Sequence, residues 1–332
     1  MRLQNLLSLT GASLMSDPAV TQIEAIIFQP HKIRRGDLFV AYDTAQIPEA
    51  IANGAYAVIY ERDVTVSDPE IAWLKVDALD HALLRLLRFH LLEKSLQVVS
   101  CDDVTLAVAA QMLKDERCYV FKGNLRSAFY ELWDLPGNSW VFVPEAAQWQ
   151  DLFVQVQALP KPSGIRADIA EQTLFETSFV LDHVYYERMP LSPFFLPYLV
   201  PLYQFAKNHG LAFQIGGMQG STHFVPVFVG DDLRIKTFGQ GGKVLIFEPD
   251  ISLLLQEADF IRNEAKWAKI IYLMPKSRAK AAVQNDAFLL YETQEDIIRL
   301  LKSVPFHFAL IGGQDKRLLE PMLARSESPT LF

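Results

Sequence analysis

The stretch at 33–61, IRRGDLFVAYDTAQIPEAIANGAYAVIYE, decides the fold predicted for this chain. The apolar run at 36–41 predicts a strand, 48–53 predicts an amphipathic helix, and 55–61 predicts a second strand. Gly54 stands where the helix ends, a position that commonly takes a positive φ, and glycine adopts that conformation without steric cost. The pattern therefore predicts a small α/β unit.

The same alternation continues along the chain and predicts an α/β fold with mainly parallel sheets. Further strands are predicted at 96–100, 118–121, 139–145, 243–249, 270–275, 287–292 and 306–313, with paired short strands within 177–190. Helices are predicted at 77–94, 104–115, 148–159, 195–208, 253–269 and 293–304. Thr293, with Asp296 three residues later, predicts a capped start for the last of these helices.

The charge and cysteine content exclude several classes of partner. A net charge of −8 without a basic run argues against a nucleic-acid or anionic-membrane partner. Cys101 and Cys118 are too few for a disulfide framework and lack metal-ligand spacing, and the histidines form no metal-type pair. We therefore expect no metal and a cytoplasmic location.

The most apolar segment, at 193–206, contains three prolines and is shorter than the roughly 20 residues that span a bilayer. We therefore expect no transmembrane segment. The segment predicts a buried helix that is entered through prolines. The alternative is a membrane-surface or partner-docking patch.

The sequence at 33–61 resembles the N-terminal domain of the Mur ligases, especially that of the MurF and MurE branches. Those enzymes build the peptidoglycan stem peptide and hold a UDP-linked muramoyl substrate in this domain. The resemblance runs in order from about residue 20 to 320 and implies three Mur-ligase-like α/β units. They are an N-terminal domain at 1–92, a reduced central ATPase-type domain at 93–216 and a C-terminal domain at 217–325, followed by a disordered tail at 326–332.

The resemblance also implies a glycine-rich P-loop after the strand at 96–100, whose backbone N–H groups and Lys would hold the phosphates of ATP. The chain instead reads Cys101-Asp102-Asp103-Val104-Thr105, with no Gly and no Lys. Two carboxylates there would repel phosphates, and Asp102 or Asp103 is expected to cap the helix at 104–115. We therefore expect no ATP cofactor and no ATP-dependent ligation.

Other positions that match the family's motifs are changed as well. Glu145 follows Pro144 near the strand end where the family has a Mg²⁺-binding Glu, but it is displaced by about one position. Gln29-Pro30-His31 stands where a DSR element of the family helps to hold uridine diphosphate, and the loop at 42–47 is short. Glu145 is therefore a catalytic candidate at a position that is shifted from the family's glutamate.

Two further candidates come from the C-terminal unit. Glu248 and Asp250 form a carboxylate pair at a strand end, where α/β folds place sites; the alternative is a solvated turn in which Asp250 caps the next helix. Gly312, Gly313, Gln314 and Lys316 follow a strand, open a helix and overlap the family's KGS turn, so they are a candidate for anion binding.

The sequence leaves three functional hypotheses. The first is a catalytically inactive Mur-ligase-like protein with a binding or scaffold role in bacterial cell-wall synthesis, whose partner is a cell-wall precursor or a cell-wall synthesis protein. The second is an enzyme with rewired chemistry, in which Glu145, Glu248 and Asp250 converge in an interdomain cleft on a nucleotide-sugar or peptide substrate. The third is a homo-oligomer or partner-binding module that uses the apolar 193–206 segment.

Overall fold

The computed structural model describes residues 1–216, 223–281 and 288–317. By packing, the chain forms two compact units: Met1–Cys101 with Glu116–Ala158, and Asp102–Asp115 with the chain from Leu159 onward. The domain boundaries predicted at 92 and 216 divide the chain differently and stay a prediction. The predicted tail at 326–332 lies outside the described residues.

The first sheet of the first unit confirms the α/β pattern of the opening stretch. Its strands are β1 (Ser13–Leu14), β2 (Ile26–Ile27), β3 (Leu38–Ala41), β4 (Ala57–Tyr60) and β5 (Ala72–Lys75), in the order β1-β5-β4-β3-β2. Neighbouring strands are parallel except in the β1–β5 pair. The helices are α1 (Leu3–Thr10), α2 (Ile47–Ala52) and α3 (Leu79–Leu92). Gly54, with φ +104°, turns the chain from α2 into β4.

The second sheet of this unit is parallel throughout. Its strands are β6 (Gln97–Cys101), β7 (Cys118–Val120), β8 (Trp140–Pro144) and β9 (Gln157–Ala158), in the order β7-β8-β6-β9. Three helices occur along this part of the chain: α4 (Asp103–Met112), which packs in the second unit, α5 (Leu125–Leu132) and α6 (Gln148–Leu152).

The helix predicted at 148–159 is wrong in its second half. The helix α6 ends at Leu152, and β9 then pairs in parallel with β6. The residues after Phe153 read VQVQA, which alternates with the period of a strand rather than of a helix. Val154 is 62% exposed, whereas Trp149 and Leu152 are buried, so the apolar face of the helix stops where the period changes.

The helix α5 was not predicted from the sequence. It starts with a reciprocal cap: Asn124 Oδ1 accepts from the Ser127 N–H at 3.1 Å, and the Asn124 N–H donates to Ser127 Oγ at 2.9 Å. Serine stands where a capping box usually has Glu or Gln, so the usual sequence pattern of a helix start is absent here.

One buried apolar cluster joins the two sheets of the first unit. It includes Leu38 and Ile59 of the first sheet, Leu86 of α3, and Val98 and Val141 of the second sheet. The apolar face of α3 therefore contributes to one core that contains side chains of both sheets.

The second unit begins with an antiparallel meander and a buried helix. The meander consists of β10 (Ala167–Gln172), β11 (Thr177–Leu181) and β12 (Val184–Met189), and it confirms the paired strands predicted within 177–190. The helix α7 (Leu196–Asn208) follows a 3₁₀ turn at Pro193–Phe195. Leu199, Leu202 and Phe205 are buried, so 193–206 is the buried helix that the sequence predicted.

The C-terminal sheet contains β13 (Val225–Val229), β14 (Lys243–Glu248), β15 (Ile270–Pro275), β16 (Phe288–Tyr291) and β17 (Phe308–Gly312), in the order β13-β14-β17-β15-β16. Only the β13–β14 pair among these strands is antiparallel. The helices are α8 (Leu254–Glu264) and α9 (Gln294–Ser303). Thr293 and Asp296 form a reciprocal cap at the start of α9, as predicted. The helix α8 ends at Glu264, five residues before the predicted end at 269, because its buried face ends at Ala265.

Candidate functional site

The topology of the C-terminal sheet brings two of the sequence candidates together. The strands β14 and β17 are parallel neighbours, and Glu248 at the end of one is paired with Gly312 at the end of the other. The Gly313 N–H donates to the main-chain oxygen of Glu248 at 2.6 Å. The carboxylate pair and the glycine turn therefore lie together at the carboxyl-end edge of the sheet. Ligand sites of α/β folds commonly occur at this edge.

The carboxylate of Glu248 is buried and holds this edge together. Its side chain is 0% exposed, and it accepts from His223 Nδ1 at 2.9 Å, from the Phe224 N–H at 3.0 Å and from the Asp250 N–H at 2.7 Å. Burial lowers the pKa of His223, but the hydrogen bond and the charge of Glu248 outweigh burial and raise that pKa above its usual range. Glu248 therefore favours a charged histidine beside it.

A second buried carboxyl group, Glu257 on α8, was missed by the sequence reasoning. It is 0% exposed, and no donor in the described part of the chain reaches either of its side-chain oxygens. Burial, followed by the charge and contact of Glu248, raises the pKa of Glu257 well above its usual range. Burial and the nearby carboxylate of Glu248 therefore both favour the protonated form of Glu257.

A sequence signal for Glu257 did exist. Leu254, Glu257, Ala258 and Ile261 follow one another at helical spacing on the buried face of α8. A glutamate in an otherwise apolar stripe is rare because charged groups are almost never fully buried. The helix was identified from the sequence, but the polar residue on its core face was not singled out.

Asp250 lies in an open cavity of about 450 Å³ beside Ser252, Met274 and Arg278. Its Oδ1 accepts from the Ser252 N–H at 2.8 Å. Asp250 therefore caps a short turn that precedes α8, rather than the first residue of the helix. An exposed Arg278 and a part-buried Asp250 could bind the two charges of a polar ligand.

The glycine turn is explained first by packing. A Cβ on Gly312 would meet Leu254 at 2.7 Å, and one on Gly313 would meet Pro275 at 2.7 Å. The N–H of Arg317 donates to Asp315 Oδ1 at 2.8 Å, so a carboxylate already faces the turn that contains Gln314 and Lys316. Anion binding at Gly312, Gly313, Gln314 and Lys316 stays a prediction.

Glu145 lies in the other packing unit. It follows β8, its side chain is exposed, and its N–H donates to the Cys101 oxygen at 3.1 Å. In the described ranges, no group of His, Cys, Asp or Glu side chains is arranged to hold a metal ion. A catalytic role for Glu145 stays a prediction.

The turn at the predicted P-loop position is closed by a side-chain cap. The strand β6 ends at Cys101 and α4 begins at Asp103, so Asp102 alone connects them. Asp102 Oδ1 accepts from the Thr105 N–H at 2.9 Å, and Thr105 Oγ1 donates to Asp102 Oδ2 at 2.6 Å. The prediction of a helix cap here is confirmed. The residues do not fit a bound triphosphate, because the Asp102 carboxylate already accepts the backbone N–H that a phosphate would use.

A cavity of about 550 Å³ lies at the N-terminal sheet, beside the Gln29-Pro30-His31 turn. Phe28, Tyr42 and Tyr130 contribute aromatic rings to its lining. The ring centroid of Phe28 lies 6.3 Å from that of Tyr42 and 5.0 Å from that of Tyr130.

The chain matches no protein-family model and no curated protein sequence. Among solved structures it is similar to crystal structure I of MurF from Acinetobacter baumannii, with a TM-score of 0.61 and 14% identity over 98% of this chain and 99% of that chain. It is also similar to the MurF ligase of Thermotoga maritima in complex with ADP, with a TM-score of 0.57 and 13% identity over 91% of this chain and 96% of that chain. The chain therefore has the fold of the Mur ligases, and the predicted fold class is confirmed. No helix in the described part of the chain is both long and apolar enough to cross a membrane.

Proposed function

We propose that this chain is a Mur-ligase-like binding or scaffold protein of the bacterial cytoplasm that has no ATP-dependent ligase activity. The observation that carries the proposal is the cap between β6 and α4. A Mur-type ligase activates its substrate with ATP, and phosphate binding needs free amides and a cation at this turn. Here Asp102 takes the Thr105 amide and adds a negative charge.

The proposed partner is a cell-wall precursor or a protein of cell-wall synthesis. The support is the fold, which is shared with MurF ligases over nearly the whole chain. A fold outlasts the loss of its reaction because the residues that form a core and the residues that form a site are separate sets.

Calorimetry on the full chain tests the proposal. We expect no heat of binding with ATP–Mg²⁺ or with ADP up to millimolar concentration. The MurF ligase of Thermotoga maritima, which was solved in complex with ADP, is the positive control for ADP binding. Binding of a UDP-muramoyl peptide without ligation supports a precursor-binding role. Micromolar affinity for ATP, or ligation of a stem peptide, would overturn the proposal.

The second candidate, an enzyme with rewired chemistry, is favoured by the open cavity that contains Asp250 and Arg278. Mass spectrometry of a UDP-muramoyl peptide incubated with the chain tests it. A product that is lost with Asp250→Asn, a change that keeps the size of the side chain, supports the enzyme. An unchanged substrate mass contradicts this enzyme for that substrate.

A further inference from the structure

Another cavity, of about 220 Å³, lies in the first unit where α3 ends and β6 begins. The parallel pairing of β6 with β9 begins at Val99 and Gln157. Gln97 and Gln155 lie two residues earlier on each side, and both line the cavity. The cavity therefore opens where the two chain segments diverge before they pair.

The rear wall of this cavity is apolar and belongs to the core. Leu91, Val98, Leu152 and Phe153 line it, and all four are buried members of the cluster that joins the two sheets. Because tightly packed side chains have little freedom to move, this wall is already formed before a ligand enters.

The mouth of the cavity is apolar as well, but it faces water. Leu92 at the end of α3 is 50% exposed, and Val154 after α6 is 62% exposed. An apolar group that enters between them removes apolar surface from water, which favours binding.

Arg88 brings a positive charge to the same cavity. It lies one helical turn before Leu92, on the same side of α3. Its Nη1 donates to the main-chain oxygen of Asp151 at 2.8 Å, which fixes the guanidinium. A guanidinium has five N–H donors in a planar fork that matches a carboxylate, and this contact uses one of them.

The size of the cavity limits the apolar part of a ligand. An apolar cavity of about 150 Å³ holds one benzene ring, so a cavity of about 220 Å³ admits an apolar group of about six to eight carbon atoms.

We propose that this cavity binds a small free carboxylate with a linear apolar chain of about six to eight carbons. The chain lies between Leu92 and Val154, and the carboxylate accepts from Arg88. The proposal goes beyond the loss of ligase activity and is independent of it, because it concerns binding at a different place from the turn between β6 and α4.

The test is a titration of the full chain at pH 7, followed by NMR of the Leu and Val methyl groups. The probes are hexanoate, octanoate and decanoate, and the controls are hexan-1-ol and hexylammonium, which keep the chain and change the head group. We expect a roughly millimolar dissociation constant for hexanoate, with shifts at the methyl groups of Leu91, Leu92, Val98 and Val154.

Chain length and head group give separate expectations. Each buried CH₂ contributes to binding, so octanoate is expected to bind about tenfold more tightly than hexanoate, and decanoate no more tightly than octanoate because the cavity is then full. Hexan-1-ol is expected to bind about three- to tenfold more weakly than hexanoate, and hexylammonium more weakly still.

Arg88→Gln isolates the charge. We expect it to weaken hexanoate binding about three- to tenfold and to leave hexan-1-ol binding unchanged, a difference that mere damage to the fold would not produce. Arg85→Gln is the matched control: Arg85 also lies on α3, and its Nη2 donates to the main-chain oxygen of Thr10 at 2.8 Å. It should leave the binding of both probes unchanged.

Val154→Asp places a negative charge at the exposed mouth. We expect it to weaken hexanoate binding and to strengthen hexylammonium binding, with an unchanged circular dichroism spectrum. Val184→Asp, at a position of β12 that is 48% exposed, is the control and should change neither.

Four results would overturn the proposal. They are equal binding of hexanoate, hexan-1-ol and hexylammonium, a further tenfold gain from octanoate to decanoate, methyl shifts confined to other parts of the chain, and no binding of hexanoate or octanoate at about 10 mM. Tighter binding of N-acetyl-leucine than of hexanoate would overturn it in favour of the end of a peptide chain. None of these results bears on ATP binding or ligation.

Discussion

Glu257 lies on the apolar face of α8 with both carboxyl oxygens buried. Its pKa is raised in the folded chain, so between the unfolded value of 4.5 and the raised folded value the native state holds more protons than the unfolded state. The free energy of unfolding therefore falls as pH rises above about 4.5, by up to about 1.4 kcal/mol per pH unit.

His223 acts in the same direction. Its raised pKa contributes stability that is fully present below pH 6.5 and is lost as pH rises through the folded value. The pair of buried groups, Glu257 and His223, therefore makes the second unit more stable in mild acid than in mild base.

The variant Glu257→Gln tests this linkage, since an amide copies the protonated carboxyl in size and cannot ionise. We expect it to match the unchanged chain in urea unfolding at pH 5 and to be more stable at pH 8. Glu187→Gln, at an exposed position of β12, serves as the control and leaves the pH profile unchanged. A Glu257→Gln variant that follows the pH profile of the unchanged chain would show that Glu257 is ionised in the fold.

Gly54 provides a second test at a single residue. Its φ is +104°, and a Cβ there would lie 3.2 Å from the backbone Cα of Arg35. Gly11 has φ +68°, but its Cβ would meet only the movable end of the Arg85 side chain. We expect Gly11→Ala to cost roughly 1–2 kcal/mol of unfolding free energy and Gly54→Ala clearly more, measured by urea unfolding. Equal costs would mean that the close approach to Arg35 is relieved by a small shift.

Among the helices, α4 offers a test of a single side-chain cap, which Asp102 provides. Removing its cap with Asp102→Ala is expected to cost about 1 kcal/mol, and Asp102→Asn, which keeps an acceptor oxygen, clearly less. Unfolding in urea measures both. An Asp102→Ala variant with unchanged stability would show that solvent replaces the cap.

The apolar segment around α7 gives a contrast between core and interface. The ring of Phe194 packs against Phe195, Phe224 and Phe260, all within the second unit. An interface through 193–206 would need these side chains exposed, so the oligomer hypothesis loses support from this face, and oligomeric state stays untested.

Phe194→Ser is therefore expected to lower stability by about 2 kcal/mol without a change of molecular mass in light scattering. Phe89→Ser, at a ring that is 41% exposed on α3, is the control and should cost much less. A fall in mass with unchanged stability of the monomer would instead show that Phe194 holds subunits together.

For the molecule as a whole, sequence reasoning predicted the class of fold and most elements. Strands such as β3 and β15 are continuous apolar runs, and the helices α3 and α9 have a clear helical period, so they were found close to their observed bounds. Thr293 also marks the start of α9 with a capping box. The errors fall where periodicity is short or changes, as at α6 and β9, or where a cap uses an unusual residue, as at α5.

The site was predicted only in part. A cap by Asp102 or Asp103 was predicted because the signal is local, and the structure uses Asp102. Glu248, Asp250 and the glycine turn at Gly312 were identified separately. Their meeting at one edge was not predicted, since it depends on β17 pairing beside β14.

The amino-acid sequence by itself determined the α/β class, the parallel strands and the side-chain cap between β6 and α4, because these depend on local spacing and residue type. Only the tertiary structure decided which acidic groups are buried and what faces them. The burial of Glu257 and its closeness to Glu248 depend on how α8 packs in the folded chain. Burial and neighbouring charge, which raise the pKa of Glu257, exist only once the chain has folded.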